Sequence, residues 1–534
     1  MIIYDHPNLK FPIEKGKITM PSRRSVIAMG AYLPLLPAFA QAGAVFDIRS
    51  FGAKGDGKRP DTRAIQEAIN AAAKQGGGTV LLPAGRYLSY SIELKSRVVL
   101  MLGAGATIIA GRPGDMGHYD LPEPNPTDRY QDFGHNHWHN SLIWADGAED
   151  IAILGPGLID GEGLTREGPG APWSKGAAGD RPLSMGPAPK ELVAGYEAQL
   201  AAMNGQGNKA IAFKNVRRAT LRDFSLYRGG HIAILITGGD GHTLDNLKID
   251  SNRDGIDLDC VSNVHLSNLT VNTPSDDAIV LKSSYALGAF RPTRNVTITN
   301  CFVSGYDIGS MLDGSYRSTQ YIAPDKDGVT GRIKLGTESA GGFENIAISN
   351  CVFERCRGLA LEIVDGGKME DIVVNNITMR EITTAPLFVR IGDRRRAPTG
   401  AKMATARGIS IANIHASNVD PRFAAIIAGL SESPVTDITL SNISLHFRDA
   451  PVAATASPLP EAAESYPEPS MFGPTPSWGL FVRHARGVSL NTIELSTARS
   501  ESRPPVLYDD AGNVAAVGVR YKTAAAPEST AADH

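Results

Sequence analysis

The residues Leu244-Asp245-Asn246-Leu247 return 22 positions later as Leu266-Ser267-Asn268-Leu269 (268 − 246 = 22). Each unit sets an apolar residue on either side of a dipeptide that ends in Asn or Asp. Further copies occur at Leu221–Phe224, Ile298–Cys301, Ile348–Cys351, Val374–Ile377, Ile411–Ile414 and Leu440–Ile443. A fixed period of this size is typical of solenoids, in which each repeat buries its apolar face against the next. The longer intervals indicate inserted loops.

Short segments between the repeats alternate apolar and polar residues, as in Gly255–Asp259 and Ala278–Lys282. This alternation is typical of a strand with one buried face. Strands that return once per repeat predict an all-β fold, a parallel β-helix that runs from about Val45 to Ser496. We interpret the recurrent Asn as a structural ladder at a corner of each coil, because corners need residues that tolerate the left-handed conformation.

An amphipathic helix is predicted near the start of this solenoid. Apolar residues recur at Ile65, Ala68, Ile69 and Ala72, which lie on one helical face, and the glycines at 76–78 end the segment. We expect Asp61 to cap its N-terminus. An open solenoid end exposes strand edges and core, so we interpret this segment as an N-terminal capping helix.

The composition is that of a globular protein with a large core and no marked charge. The chain has 534 residues, is 42% hydrophobic and carries a formal net charge of −3. This charge gives no electrostatic reason to expect nucleic acid as a partner. The four cysteines are Cys260, Cys301, Cys351 and Cys356. We interpret them as buried apolar residues rather than disulfides, and their spacing predicts no metal site.

Residues 1–42 have the pattern of an export signal. Arg23 and Arg24 precede an apolar run, and Ala40-Gln41-Ala42 supplies a small-residue cleavage pattern. The paired arginines indicate a twin-arginine leader that begins near Met20. We therefore expect a periplasmic or secreted protein, with 43–523 as a single β-helix domain and 524–534 as a disordered tail. We expect a monomer with no membrane span once the leader is removed.

Three acids near the middle of the chain are the candidate catalytic residues. Asp254 lies 22 positions before Asp276 (276 − 254 = 22), which Asp277 follows directly. One coil apart, the two acidic turns would lie about 4.8 Å from each other. Like-charge repulsion would then raise the pKa of one carboxyl, which we expect to be Asp276, and acid/base cleavage of a glycoside fits such a pair. A calcium site or solvated turn acids are the alternatives.

Three short motifs carry a family resemblance. Asn252-Arg253-Asp254, Ser275-Asp276-Asp277 and Gly331-Arg332-Ile333-Lys334 resemble the signature set of glycoside hydrolase family 28, the polygalacturonases and rhamnogalacturonan hydrolases. Residues 51–57 and 158–163 are also similar to that family. The resemblance implies a right-handed parallel β-helix that hydrolyses α-galacturonosyl linkages in pectic polysaccharide with inversion and without a cofactor. It implies the following roles: Asp276 as general acid, Asp254 and Asp277 as holders of the water, and Arg332, Lys334 and Asn252 as substrate-binding residues.

The sequence departs from the family pattern at two places. Arg253 stands where the family has Thr, and no Gly-His-Gly occurs around 303–310. His231 and His242 are candidates to replace the missing histidine. These departures indicate a specialised substrate, either for an exo-acting galacturonidase or for a rhamnogalacturonan hydrolase. A β-helix polysaccharide lyase, which would need calcium and a basic residue, and a non-enzymatic glycan-binding solenoid remain as alternatives.

Overall fold

The computed structural model describes residues 44–128, 130–168, 197–398, 401–453, 455, 458–524 and 529–530. Its strands form one parallel coil. The predicted leader at 1–42 lies outside these residues. So does most of the predicted tail, of which Ser529–Thr530 pairs antiparallel with Arg520 and Tyr521.

The helical elements with described bounds include α1 (Thr62–Lys74), α2 (Phe133–Asn136) and the 3-10 turns Ile48–Phe51 and Pro469–Phe472, and residues 197–202 are also helical. The strands are β1 (Val45–Asp47), β2 (Asp56–Pro60), β3 (Gly78–Leu82), β4 (Gly85–Ser89), β5 (Ile92–Glu93), β6 (Val98–Leu102), β7 (Ala106–Ala110), β8 (Ile143–Asp146), β9 (Ala152–Leu154), β10 (Leu158–Asp160), β11 (Lys209–Lys214), β12 (Thr220–Arg222), β13 (Ser225–Tyr227), β14 (Ile232–Thr237), β15 (Asp240–Asp245), β16 (Lys248–Asp250), β17 (Asp254–Asp259) and β18 (Ser262–Ser267). They continue with β19 (Thr270–Asn272), β20 (Ile279–Lys282), β21 (Thr293–Thr299), β22 (Phe302–Ser304), β23 (Ile333–Leu335), β24 (Phe343–Glu354), β25 (Leu359–Ile363), β26 (Lys368–Arg380), β27 (Leu387–Ile391), β28 (Thr405–Val419), β29 (Ala425–Ala428), β30 (Val435–Phe447), β31 (Leu480–Thr497), β32 (Val506–Lys522) and β33 (Ser529–Thr530).

The strands fall into three stacks of parallel neighbours. Stack 1 begins with β1, β3, β6, β9, β12, β15, β18 and β21, and stack 2 with β2, β4, β7, β10, β13, β16, β19 and β22. Stack 3 holds β5, β8, β11, β14, β17, β20, β23, β25, β27 and β29. From β24 onward one long bent strand serves stacks 1 and 2, and β31 and β32 continue through all three. The predicted parallel β-helix is confirmed, and its coils extend past Ser496 to Lys522.

The core consists of columns of apolar side chains, and each coil contributes one side chain to a column. Ile256, Ile279 and Ile333 are register partners in stack 3, and each is fully buried. Such columns follow from parallel pairing, because every inward position of one strand lies over an inward position of the next. The four cysteines are buried and free, which confirms that they serve as small apolar residues.

The predicted ladder of polar corner residues is also confirmed. The Asn of each repeat adopts a positive φ, for example 58° at Asn268 and 54° at Asn442. Amides of successive coils are hydrogen-bonded: Asn376 Nδ2 donates to Asn350 Oδ1 at 3.1 Å, and Asn442 Nδ2 donates to Asn413 Oδ1 at 2.7 Å. Asn therefore serves the corner twice, by tolerating its backbone conformation and by bonding along the stack.

Helix α1 closes the first coil as predicted, with Ile65, Ala68, Ile69 and Ala72 buried against the strands. Asp61 occupies the N-cap position, as expected, and its carbonyl accepts the Ile65 N–H at 3.0 Å. Its side chain makes no hydrogen bond to the helix, and the two carboxylate oxygens instead accept the backbone N–H groups of Lys54 and Gly55 at 2.7 and 2.9 Å. The Asp61 side chain thus holds the preceding turn, and its backbone carbonyl begins the helix.

The long loops enter the coil at one corner. The segments 111–142, 161–208, 305–332 and 448–479 each connect a strand of stack 2 to the following strand of stack 3. Loops at the same corner of different coils are neighbours in space, although far apart in sequence. We call this edge the loop corner. Among the described residues, no helix has the length and apolar character needed to cross a membrane.

Candidate active site

The three predicted acids meet at the loop corner. Asp254 is the first residue of β17, and Asp277 lies two positions before β20. The Gly255 N–H donates to the Asp277 carbonyl at 3.0 Å, which fixes one acidic turn over the other. One oxygen each of Asp254, Asp276 and Asp277 lies within 4.8 Å of the other two. Asp254 and Asp277 are buried, whereas the Asp276 side chain is 30% exposed.

The surroundings of Asp254 and Asp277 shift the pKa values of these two acids in opposite directions. Burial, together with the charges of Asp276 and Asp257, raises the pKa of Asp254 well above its usual range. Burial would also raise the pKa of Asp277, but the opposing charges of Arg332 and Lys334 lower it to about 2. The predicted crowding therefore acts on Asp254, whose pKa it raises.

Arg253 makes a contact with Asp276 that Asp254 lacks. Its guanidinium donates to Asp276 Oδ2 through Nε and Nη2 at 3.3 and 3.1 Å. The Nη1 atom lies 3.0 Å from Nδ1 of buried His231. Arg253 stands where the family motif has Thr. It supplies Asp276 with a positive charge at contact distance and makes no such contact with Asp254 or Asp277.

The predicted substrate-binding cations are buried in an ion network. Arg332 donates through Nε to Asp277 at 2.7 Å and through both terminal nitrogens to Glu468 at 2.5 and 3.0 Å. Lys334 Nζ lies 3.4 Å from Asp277 and 3.3 Å from Glu362. Each side chain is 1% exposed. Their contact with substrate stays a prediction, and in this structure carboxylates of the chain itself occupy them.

Asn252, the third predicted substrate-binding residue, joins the two acidic turns. Its Oδ1 accepts a hydrogen bond from Ser275 Oγ at 2.8 Å, and Ser275 Oγ in turn accepts from Gln320 at 3.1 Å. The structure therefore gives Asn252 a positioning contact. Substrate binding by this residue stays a prediction.

Several charged residues of the site were missed by the sequence analysis. Asp257 is fully buried, with Lys282 Nζ at 3.7 Å and His135 Nε2 at 3.5 Å. Lys282 Nζ also donates to Glu338 at 2.8 Å. The alternation along β17 and β20 points Asp257 and Lys282 outward, so this signal could have identified both. Nothing in the repeat marks His135, which lies on a long loop.

His135 lies beside two acids of the site. One of its ring nitrogens lies within 4.8 Å of oxygens of Asp254 and Asp257. Of the two histidines proposed from the sequence, His231 packs against His135, and the centroids of the two rings lie 5.9 Å apart. His242 belongs to β15 in stack 1, where its Nδ1 accepts the Ala219 N–H at 3.3 Å, so it serves the coil.

Two groups at the site have donor sets that could hold a metal ion: His135 with Asp254 and Asp257, and the three catalytic candidates. Both groups already face cations of the chain, namely Lys282 beside Asp257 and Arg253 beside Asp276. A divalent ion would meet these charges at close range. The expectation of no metal stays a prediction.

A cavity of about 340 Å³ opens on the acids. Its lining consists of Arg166, Arg253, Ser275, Asp276, Pro324, Asp325, Thr330, Arg357, Tyr466 and Glu468. Of the three candidate acids, Asp276 alone is part of this lining. The volume lies within the range of about 300–1,000 Å³ that is typical of ligand pockets.

Comparison with known proteins gives this corner a context. Residues 45–121 match a family model described as Rhamnogalacturonase A/epimerase, pectate lyase-like, and residues 210–383 match one described as Right handed beta helix region. The chain is similar to the polygalacturonases. A probable polygalacturonase of Vitis vinifera is 26% identical over 427 residues, which span 77% of this chain and 75% of that relative. An exo-poly-alpha-D-galacturonosidase of Dickeya chrysanthemi is 23% identical, with 75% and 71% covered.

A solved structure agrees at the level of the fold. The exopolygalacturonase of Thermotoga maritima superimposes with a TM-score of 0.59 at 19% identity, and the match covers 84% of this chain and 91% of that one. Together with the β-helix match, this establishes the chain as a right-handed parallel β-helix.

Proposed function

We propose that this protein is a glycoside hydrolase that cleaves α-galacturonosyl linkages in pectic polysaccharide by acid/base catalysis with inversion. The observation that carries the proposal is the meeting of three carboxyls at the edge of a cavity, one with a raised pKa and one with a lowered pKa. Paired carboxyls held in different protonation states are what glycoside hydrolysis requires. The similarity to polygalacturonases supports the substrate class.

Asp276 is the proton donor in this proposal. It lines the cavity, where a leaving glycosidic oxygen can reach it, whereas Asp254 and Asp277 are buried behind it. Asp254 and Asp276 act as a coupled pair that shares one proton. In the reactive state the proton is on Asp276, and Asp254 is ionised.

The reaction then balances within these residues. The glycosidic C–O bond breaks and Asp276 gives its proton to the leaving oxygen, while a water attacks the anomeric carbon and gives a proton to Asp254. Asp277, which Arg332 and Lys334 keep ionised, orients that water. The cycle ends with the proton on Asp254, in agreement with its raised pKa in the free protein. Transfer to Asp276 restores the reactive state.

The stereochemical outcome tests the inverting part of the proposal. Inverting carboxyls usually stand about 6.5–9.5 Å apart, whereas here one oxygen of each acid lies within 4.8 Å of the others. Inversion is therefore supported by the family resemblance and not by this spacing. Proton NMR of the first product is expected to show the β-anomer. An α-anomer would mean that one of the acids is a nucleophile.

The substrate is tested with a panel of pectic polymers, including homogalacturonan and rhamnogalacturonan, with resolution of the products by length. Monomer release from the first minutes would establish exo action, and a ladder of oligomers would establish endo action. Unsaturated products that absorb in the ultraviolet, lost in chelator, would identify a lyase instead. Binding without any new reducing ends would identify a non-enzymatic glycan receptor. We further propose an exported monomer, which fractionation and light scattering would test.

A further inference from the structure

The cavity at the loop corner contains a cation that the proposed mechanism does not use. Arg166 follows β10 on the loop at 161–208, and it lines the cavity together with Arg253 and Asp276. Its Nε is buried and has no hydrogen-bond partner. Among the described parts of the chain, no carboxylate lies within 4.0 Å of it.

The other two arginines of the lining have acidic partners. Arg253 donates to Asp276, and Arg357 donates through Nη2 to both oxygens of Asp325 at 2.7 Å. Arg357 Nη1 also lies 3.0 Å from Glu468. The acids of the lining are thus hydrogen-bonded to Arg253, Arg357 and Arg332. Arg166 also lines the cavity, and the charges of Asp276 and Glu167 act on it without forming an ion pair with it.

Glu468 removes the alternative carboxylate site. Its two oxygens bind Arg332 in a fork at 2.5 and 3.0 Å. This is the bidentate geometry that a substrate carboxylate would adopt there. Lys334 is likewise enclosed by Asp277 and Glu362. A uronate could reach Arg332 only if Glu468 moved away first. Breaking this buried ion pair is energetically costly.

We propose that Arg166 binds the carboxylate of the substrate's uronosyl residue, so that Arg166 rather than Arg332 or Lys334 selects an acidic sugar. This inference rests on the proposed function, because it assigns the carboxylate subsite of the same cavity. A carboxylate in the cavity beside Arg166 would give its guanidinium the acidic partner that Arg253 and Arg357 already have. It would also offset the burial and the neighbouring Arg253 charge, which lower the pKa of Arg166.

The test compares acidic and esterified ligands. Binding of an oligogalacturonate and of its methyl ester is measured by calorimetry in an Asp276→Asn background, where no turnover interferes. We expect the Asp276→Asn protein to prefer the acid over the ester, and Arg166→Gln to weaken acid binding about 10- to 100-fold without affecting the ester. Arg166→Lys should retain part of the preference, because it keeps the charge and loses the fork. Arg407→Gln, an exposed arginine of stack 1 that is 62% exposed, is the matched control.

The outcomes separate this inference from the proposed function. Equal losses for acid and ester in Arg166→Gln, or no loss for either, would overturn the role of Arg166. A gain in acid binding by Glu468→Gln that needs Arg332 and not Arg166 would place the carboxylate at Arg332 instead. Acid binding through Arg166 without hydrolysis by the wild-type protein would uphold the subsite and refute the hydrolase. Thermal melting of each variant shows that the fold is kept.

Discussion

Two columns of stacked polar residues run along this coil, and they obey opposite rules. On the exposed face of stack 1, Asn345 Nδ2 donates to Asn295 Oδ1 at 2.9 Å, and Asn295 Nδ2 donates to Asn263 Oδ1 at 2.9 Å. At the loop corner, Asp277 pairs with Arg332 and Lys334, and Glu362 and Glu468 face the same cations. One column repeats a single residue, whereas the other alternates in charge.

The difference follows from hydrogen-bonding capacity. An amide both donates and accepts, so identical amides can stack coil after coil without end. A carboxylate only accepts and a guanidinium only donates, so a buried column of either must alternate. The ladder is exposed and each rung contributes little. The charged column is buried, and loss of one member leaves its partner as an uncompensated charge.

The largest expected effect comes from the one acid that lines the cavity. Asp276→Asn keeps the size and hydrogen bonding of the side chain but cannot donate a proton to the leaving oxygen. We expect kcat on a pectic substrate to fall about 10²- to 10⁴-fold, the usual contribution of general acid catalysis. Stopped assays of reducing ends measure this. Unchanged circular dichroism is the control, and near-normal kcat would show that the acid is another residue.

The next largest effect is on stability and follows from removing the central cation of the charged column. Arg332→Met removes the cation between Asp277 and Glu468 and leaves both acids buried. We expect a loss of about 3–5 kcal/mol in the free energy of unfolding. Urea denaturation measures it against Arg407→Met, which removes an exposed pair and should lose less than about 1 kcal/mol. Equal losses would mean that the column has no special role in stability.

The pH dependence of stability sharpens the same comparison. Asp277 has a lowered pKa of about 2 in the folded protein, against about 3.9 when unfolded. Its ionised form therefore contributes stability above about pH 4, and this contribution of roughly 2–3 kcal/mol is lost as the pH falls toward 2. Asp277→Asn should lack that dependence. Urea midpoints between pH 5 and pH 2 test this, and parallel curves for both proteins would contradict it.

The smallest effect concerns the exposed amide column of Asn263, Asn295 and Asn345. Asn295→Ala removes two amide hydrogen bonds and places a Cβ at a φ of 55°, and we expect a loss of about 1–2 kcal/mol. Asn295→Gly also loses the two hydrogen bonds, but glycine adopts this positive φ without strain. Its loss in the free energy of unfolding should therefore be smaller than that of Asn295→Ala. Activity should remain normal in both. A loss as large as that of Arg332→Met would mean that the exposed amides carry the coil.

What the sequence could predict is what recurs with the coil. The 22-residue offset of Asp254 and Asp276 predicted their meeting, and the Asn of each repeat predicted the ladder. Loop residues have no period, so Glu468 and His135 could not be placed at the acids before the structure. The raised pKa of Asp254 was also hidden, because it depends on burial and on neighbouring charges that the repeat pattern does not specify.

The loop corner also has a consequence for how such a protein changes over evolutionary time. All four long segments enter between stacks 2 and 3, and three of them line the cavity, so an insertion or deletion in those three changes its walls but shifts no strand from its neighbour. The coil is then a fixed frame and the loops are an interchangeable set. A residue's place within its turn, and not its distance along the chain, decides which residues become its neighbours in the cavity.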